Sequence, residues 1–389
     1  MNAASRTSHL KPEGAYQVLA RAQELEASGR EIIHLEIGQP DFETFDNIRL
    51  AGIRAISEGH TRYTPPIGMK ALRDLIADDA GQRYGLQIHP DQVVVSPGAK
   101  PNLFFPALAL IEPGDEVIYP NPGFPTYEAM IRVAGGVPVP VPLKEENNFS
   151  FDLDAFHQLV SERTKLVILN SPSNPTGGVM PMADLEEIAK TAQEFDFWVM
   201  SDEIYARVAY DNAGVPSIAS LPGMMDRTIV VDGFSKTYAM TGWRLGFGIM
   251  PKSLAHVVQL LLTHSVGCTA NFVQIAGIEA LTGPQDEVQA VVCEYQRRRD
   301  AIVAGLNDIE GVTCQCPQGA FYVFPNIKSF GLPSSEMADF LLEKAGVAVL
   351  PGSSFGKYGE GYLRLTYSNS IENILRAVHQ VQEAVKRLV

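Results

Sequence analysis

Hydrophobic positions along this chain recur with two different periods, and the switching between them predicts the elements. Between Tyr16 and Ser28, Val18, Leu19, Ala22 and Leu25 share one helical face, and Gly29 closes the expected helix. A short apolar run, Ile32 to Ile37, then enters Gly38-Gln39-Pro40-Asp41, a turn signal. From there to about Leu281, short apolar runs alternate with helical patterns. The clearest runs are Gln92 to Ser96, Glu116 to Tyr119, Val137 to Val141, Leu166 to Leu169, Trp198 to Ser201, Thr228 to Asp232 and Leu245 to Ile249. Several are nearly continuous Val, Ile and Leu, the pattern of strands covered on both faces. The expected fold class is therefore α/β, a large domain whose mostly parallel sheet carries helices on both faces.

Beyond Pro284 the texture changes. A charged helix around Glu294 to Asn307 precedes short runs at Thr313 to Cys316, Phe321 to Phe324, Val347 to Leu350 and Tyr362 to Tyr367, and a helix from Ile371 to Leu388 closes the chain. This pattern implies a smaller α+β domain. The expected partition is a large domain over residues 46–283, and a small one from residues 1–45 and 284–389. No repeat or low-complexity linker separates them, so close packing is expected.

Composition narrows the function. A formal net charge of −14 argues against a broad phosphate-backbone footprint, and so against nucleic acid as a partner. The stretch Asn102 to Ile111 is about half a membrane span long and contains Pro106, so no membrane span is expected. Met1 to Gly14 is polar, without the apolar run of a signal peptide. Four cysteines do not make a disulfide scaffold, and Cys314 and Cys316 have no second pair at metal-ligand spacing. Reduced, partly buried thiols, no metal site and a cytoplasmic location are the expectations.

Four segments carry residues whose chemistry fits together. Gly233-Phe234-Ser235-Lys236-Thr237 follows a strand, which would put Lys236 at the C-terminal edge of a parallel sheet, where α/β proteins place ligands. Lysine forms imines with carbonyl cofactors, and burial lowers its pKa. In Ser201-Asp202-Glu203-Ile204-Tyr205, a strand-end carboxylate can keep a pyridine nitrogen protonated. A helix starting there would bring the Tyr205 hydroxyl to the same side. The plainer reading makes Asp202 a helix cap. Asn170-Ser171-Pro172-Ser173-Asn174-Pro175-Thr176-Gly177 builds a rigid loop that could hold an Asn amide against a ligand. Ser96-Pro97-Gly98-Ala99-Lys100 opens a helix on a glycine, so its backbone amides could cradle a phosphate.

Taken in this order, S-P-S-N-P-T-G, S-D-E-I-Y and S-K-T-Y-A-M-T-G-W-R-L-G resemble the class I/II aminotransferases that depend on pyridoxal 5'-phosphate, of PLP fold type I. The resemblance runs from about Ile32 to the C-terminus. It implies that Lys236 holds the cofactor as a Schiff base and moves the substrate proton. Asp202 would pair with the pyridine nitrogen, and Asn174 and Tyr205 with the phenolic oxygen. Arg244, Ser235 and the amides around Gly98, Ala99 and Lys100 would hold the phosphate. Phe124 in N-P-G-F-P-T-Y matches the aromatic that stacks on the ring. Tyr63 in R-Y-T-P-P-I-G resembles the tyrosine that reaches the phosphate of a neighbouring subunit, which implies a homodimer with shared sites. Arg364 in G-Y-L-R-L-T-Y matches the arginine that grips the substrate α-carboxylate, and Gly38 in I-G-Q-P-D-F lines the same pocket. The implied activity moves an α-amino group from an amino acid to a 2-oxo acid in a ping-pong cycle. A C–S β-lyase, a cyclising synthase or a decarboxylase could use the same cofactor set.

One departure bears on substrate. The stretch Leu262 to Ala270, where aspartate-dedicated relatives often carry a side-chain-binding arginine, has none. Lys100 or His264 could substitute in part. A pocket tolerant of alanine, aromatic or other neutral side chains is expected, with 2-oxoglutarate or pyruvate as acceptor. Two rivals of other classes fit less well. Gly352-Ser353-Ser354-Phe355-Gly356 matches G-x-S-x-G, but no Asp follows and the only later histidine is His379. A ligand-sensing regulator would need a DNA-binding module, and only about thirty residues precede the first matching strand. Arg297-Arg298-Arg299 reads as a solvated helix face.

Overall fold

The computed structural model describes residues 4–8, 10 and 12–388, so the reading of Met1 to Gly14 falls partly outside the described residues. A seven-stranded sheet forms the centre of the chain: β1 (Val93–Ser96), β2 (Glu116–Asn121), β3 (Val137–Pro142), β4 (Thr164–Asn170), β5 (Trp198–Asp202), β6 (Thr228–Gly233) and β7 (Gly246–Ile249). Their order is β1-β7-β6-β5-β4-β2-β3. All neighbours run parallel except β7, which is antiparallel to both β1 and β6.

Pleating explains the continuous apolar runs. In β1, Val93 and Val95 join one buried cluster, with Leu72, Ile76, Phe247 and Val273, while Val94 joins another, with Leu103, Ile168, Leu254 and Val258. Each of these β1 valines thus packs under helices on one face or the other. Register then places the chemistry. Asn170 of β4 lies opposite Asp202 of β5, and Asp202 lies opposite Val231 of β6, so these strands end together. The three loops that follow carry Asn174, Tyr205 and Lys236, and the last begins with a short helix, Phe234–Thr237.

After residue 284 the elements are shorter. Leu350–Pro351, Leu363–Thr366 and Tyr322–Val323 make a three-stranded antiparallel sheet. The helices Asp286–Asn307 and Ile371–Val385 share its buried cluster. The second of these buries Ile374, Ala377, Val381 and Ala384 at helical spacing, and the Ser370 hydroxyl caps it by accepting from the Asn373 amide at 3.2 Å. The helix Gly14–Ala27 forms near where it was expected.

Several expectations need correction. Only Ile33–His34 of the run Ile32 to Ile37 is strand, paired parallel to Val347–Ala348, because the chain leaves the ladder to enter the pocket. Thr313 to Cys316 forms no strand beyond an isolated bridge between Thr313 and Asn326. The stretch after Asp202 is a turn, not a helix. Cys293 and Cys316 are exposed, whereas Cys314 is buried; all four thiols are free.

Of the arginine run only Arg297 lies on a solvated face, 57% exposed and paired with Glu294. Arg298 is 6% exposed and Arg299 is 3%. Arg298 bonds both carboxylate oxygens of Asp41 (2.8 and 2.9 Å) and lies over the Phe42 and Tyr295 rings. Arg299 bonds Asp211 at 2.5 Å over Tyr210. Long arginine stems can bury while their heads stay paired, which a charge count alone does not reveal. The G-x-S-x-G match is a single 3₁₀ turn, Gly352–Phe355, and His379 is exposed on the helix Ile371–Val385.

Candidate active site

A cavity of about 520 Å³ opens above the C-terminal ends of β4, β5 and β6, within the size range of small-molecule sites. Gly38, Ala99, Lys100, Phe124, Asn174, Asp202, Tyr205, Ser235, Lys236, Arg244 and Arg364 all line it. Gly98 packs directly against Arg244. Tyr63 does not line the cavity and is 97% exposed. His264 is exposed and also outside the lining.

Two groups on the floor have been moved from their ordinary acidity. Asp202 is buried, and that burial pushes its carboxyl up to about 6. The Tyr127 hydroxyl, donating to Asp202 Oδ2 at 2.7 Å, and the Ile204 amide at 3.3 Å work in the opposite direction. Lys236 is brought down to about 8, first by burial and then by the charges of Arg364, Arg244 and Lys100. Its ammonium donates to the Gly38 carbonyl at 2.7 Å and stands over the Tyr205 and Phe321 rings.

The loop after β4 holds its shape by side-chain bonds. Asn170 accepts from the Asn174 amide at 2.9 Å and donates to the Asp202 carbonyl at 3.0 Å. The Ser171–Pro172 and Asn174–Pro175 peptide bonds are cis. Asn174 Oδ1 accepts from Arg364 Nη1 at 3.2 Å, and the Tyr205 and Tyr322 hydroxyls share a bond of 2.7 Å. Arg364 also donates to the Glu36 carbonyl, and it lies between the Tyr322 ring (4.6 Å) and the Phe355 ring (5.1 Å). Its buried Nε has no hydrogen-bond partner among the described residues.

Glycines admit the close approaches. Gly98 adopts φ +82°, and a Cβ there would stand 2.2 Å from Arg244 Nη2. A Cβ at Gly38 would stand 2.1 Å from the Tyr322 hydroxyl. The helix Lys100–Leu110 starts beside Gly98, so its free amides and Arg244 border one corner of the cavity.

These groups fit pyridoxal phosphate. A buried carboxylate suits a protonated ring nitrogen, and the amide corner beside Arg244 suits a phosphate. A lysine of lowered pKa suits imine chemistry, and the Arg364 guanidinium lining the cavity suits a carboxylate.

The chain matches the family described as "Aminotransferase class I and II" over residues 30–381. It is a member of that family. A probable aspartate/prephenate aminotransferase of Aquifex aeolicus is 40% identical over 99% of both chains. An aromatic-amino-acid aminotransferase of Thermococcus litoralis is 37% identical, again over 99% of both. The crystal structure of the Thermus thermophilus aspartate aminotransferase with maleate superposes at a TM-score of 0.93, with 36% identity over 99% of this chain and all of that one. This aminotransferase is therefore an α/β enzyme of PLP fold type I that depends on pyridoxal phosphate, and the β-lyase alternative is not favoured. No helix among its described residues is long and apolar enough to cross a membrane.

Tyr127, Tyr322 and Glu13 line the cavity and were not singled out from sequence. Tyr127 was within reach, since it stands three residues after Phe124 in N-P-G-F-P-T-Y and turns to the same side. Tyr322 and Glu13 carry no local signal.

Proposed function

We propose that this aminotransferase works by a ping-pong exchange in which Lys236, Asp202 and Tyr205 are the catalytic groups. The supporting observation is that Lys236, Asp202 and the buried Arg364 line one cavity. Pyridoxal phosphate, when bound, supplies the electron sink that makes a proton at the substrate Cα removable. Lys236 Nζ takes and returns that proton. Asp202 keeps a proton on the ring nitrogen, while Tyr205 and Asn174 hydrogen-bond the phenolic oxygen. Ser235, Arg244 and the amides of Gly98, Ala99 and Lys100 hold the phosphate, and Phe124 covers the ring. Arg364, with Gly38, orients the α-carboxylate.

In this reading the units 46–283 and 1–45 with 284–389 form the two domains, and the second closes over the substrate to exclude water. The exposure of Tyr63 supports its reaching the phosphate of a second copy, so the working unit is a homodimer, with the cytoplasm as its location. A fully active monomer by light scattering would refute the shared site. Relatives that act on aspartate and on aromatic amino acids both fit a broad pocket. With no arginine in Leu262 to Ala270, we assign neutral and aromatic donors, with 2-oxoglutarate or pyruvate as acceptor. The test is absorbance of the holoenzyme against a panel of amino acids without oxo acid. Movement of the visible band to the near-ultraviolet with alanine or phenylalanine is expected. Response to aspartate alone would overturn the substrate reading.

A further inference from the structure

Glu13 precedes the helix Gly14–Ala27 as its N-cap residue, yet its side chain makes no cap bond. A carboxylate at that position ordinarily stabilises the free amides of the first turn. Here it reaches into the cavity and pairs with the Lys100 ammonium. It also contributes to the electrostatic surroundings of Arg364, although it lies far from Arg364 in sequence. Gly14 makes this placement possible, since a Cβ there would stand 2.6 Å from the Ser354 hydroxyl and push the helix start away. Glu13 therefore places a resident negative charge among the cations that would receive a substrate's carboxylates.

We infer that Glu13 is a specificity-determining residue. It neutralises Lys100, a lining cation whose ammonium has none of the roles given to Lys236, Arg244 and Arg364 and which could read a carboxylate at the end of a substrate side chain. Phe124, whose ring centroid lies 5.2 Å from the Lys100 ammonium, then offers apolar surface to a neutral or aromatic side chain. A dicarboxylate, 2-oxoglutarate included, has to displace Glu13 from Lys100 or stand beside a like charge, so the pair discriminates against dicarboxylates and, of the two acceptors, favours pyruvate. The inference rests on the assignment of the α-carboxylate to Arg364, because only then does Lys100 face the side chain.

Two unreactive probes with the same carbon skeleton test it on the holoenzyme: maleate, with two carboxylates, and cis-2-butenoate, with one. Their dissociation constants are measured by titration calorimetry for the unaltered enzyme, Glu13→Gln, Lys100→Met and the double variant. Glu13→Gln is expected to shift the ratio of affinities toward maleate by about fivefold, the size of one partly exposed charge pair. That shift should vanish when Lys100 is Met. Turnover should follow, with kcat/KM for aspartate rising against that for phenylalanine in Glu13→Gln. An unchanged ratio in Glu13→Gln, or a shift that persists without Lys100, overturns the inference. Arg364→Ala separates the two levels. If it spares cis-2-butenoate binding, the α-carboxylate assignment fails and takes the inference with it. If it abolishes that binding while Glu13→Gln leaves the ratio unchanged, the role of Glu13 alone is refuted.

Discussion

Asp202 and Glu203 are consecutive carboxylates at the end of β5, 5% and 3% exposed, and burial raises the pKa of both. Their surroundings differ. Glu203 accepts from the hydroxyls of Ser201 (3.0 Å), Ser217 (2.5 Å) and Tyr84 (2.8 Å), and the Arg83 cation also favours its ionised form. Asp202 has one hydroxyl, that of Tyr127, one backbone amide and an open cavity. Equal burial thus hides different tasks. Glu203 is satisfied within the protein and ties helix to sheet, while Asp202 faces the cavity with fewer internal bonds, as its proposed role at a ring nitrogen requires. Incomplete internal pairing, more than burial, sets the proposed catalytic member of the two apart.

Conservative changes at the two positions should separate activity from stability. Asp202→Asn is expected to lower kcat by on the order of 10³-fold, because a neutral amide cannot hold a ring nitrogen protonated. The same variant should be more stable than the parent without cofactor, by about 2–3 kcal/mol at pH 7. The sign follows from the raised pKa. Asp202 favours folding fully below its unfolded pKa near 4, and this contribution is lost as pH rises through about 6. The gain should therefore be absent below pH ~4 and complete above about 6. Denaturant unfolding across pH measures it, and a loss of stability at pH 7 would break the contrast. Glu203→Ala should do the reverse. It leaves the Tyr84, Ser201 and Ser217 hydroxyls without their partner and removes a nearby charge from Arg83, and a destabilisation of about 3–5 kcal/mol is expected with kcat per folded molecule little changed.

The contrast extends to the cations. Arg364 has a buried Nε without a hydrogen-bond partner among the described residues, whereas Arg298 is doubly bonded to Asp41. Arg364→Ala should reduce kcat/KM for α-carboxylate substrates by about 2–5 kcal/mol, and an unchanged value would remove it from the substrate site. Lys236 gives a smaller, graded effect. The rate of cofactor uptake should rise about tenfold per pH unit up to about 8 and then level, because the neutral amine is the reacting form. A rate flat from pH 6 to 9 would contradict it. Tyr127→Phe sharpens the comparison most finely. Loss of one hydrogen bond worth about 1 kcal/mol should move the Asp202 titration upward and cut kcat about fivefold. The change in the pH midpoint of stability distinguishes this from a packing effect.

Much of the fold was legible because strands buried on both faces leave unbroken apolar runs, and all seven sheet strands stand within a few residues of those runs. The gathering of Lys236, Asp202 and Asn174 around one cavity was legible for a related reason: each follows within a few residues of such a run. The missing pieces were those whose meaning depends on distant partners. Arg298 and Arg299 looked solvated because nothing local announces Asp41 or Asp211. Tyr205 was placed on a helix, whereas a turn brings it to Tyr322, more than a hundred residues away.

By itself, then, the sequence determined the order of strands and helices, the chemistry available at each strand end and the family to which the enzyme belongs. Periodicity and short motifs are local, and local pattern suffices for them. Only the tertiary structure decided that Asp202 is left underpaired while Glu203 is not, that Arg364 Nε has no hydrogen-bond partner among the described residues, and that Glu13 pairs with Lys100 inside the pocket. Those facts concern desolvation and pairing between segments far apart in the chain, and both depend on which groups the fold brings together.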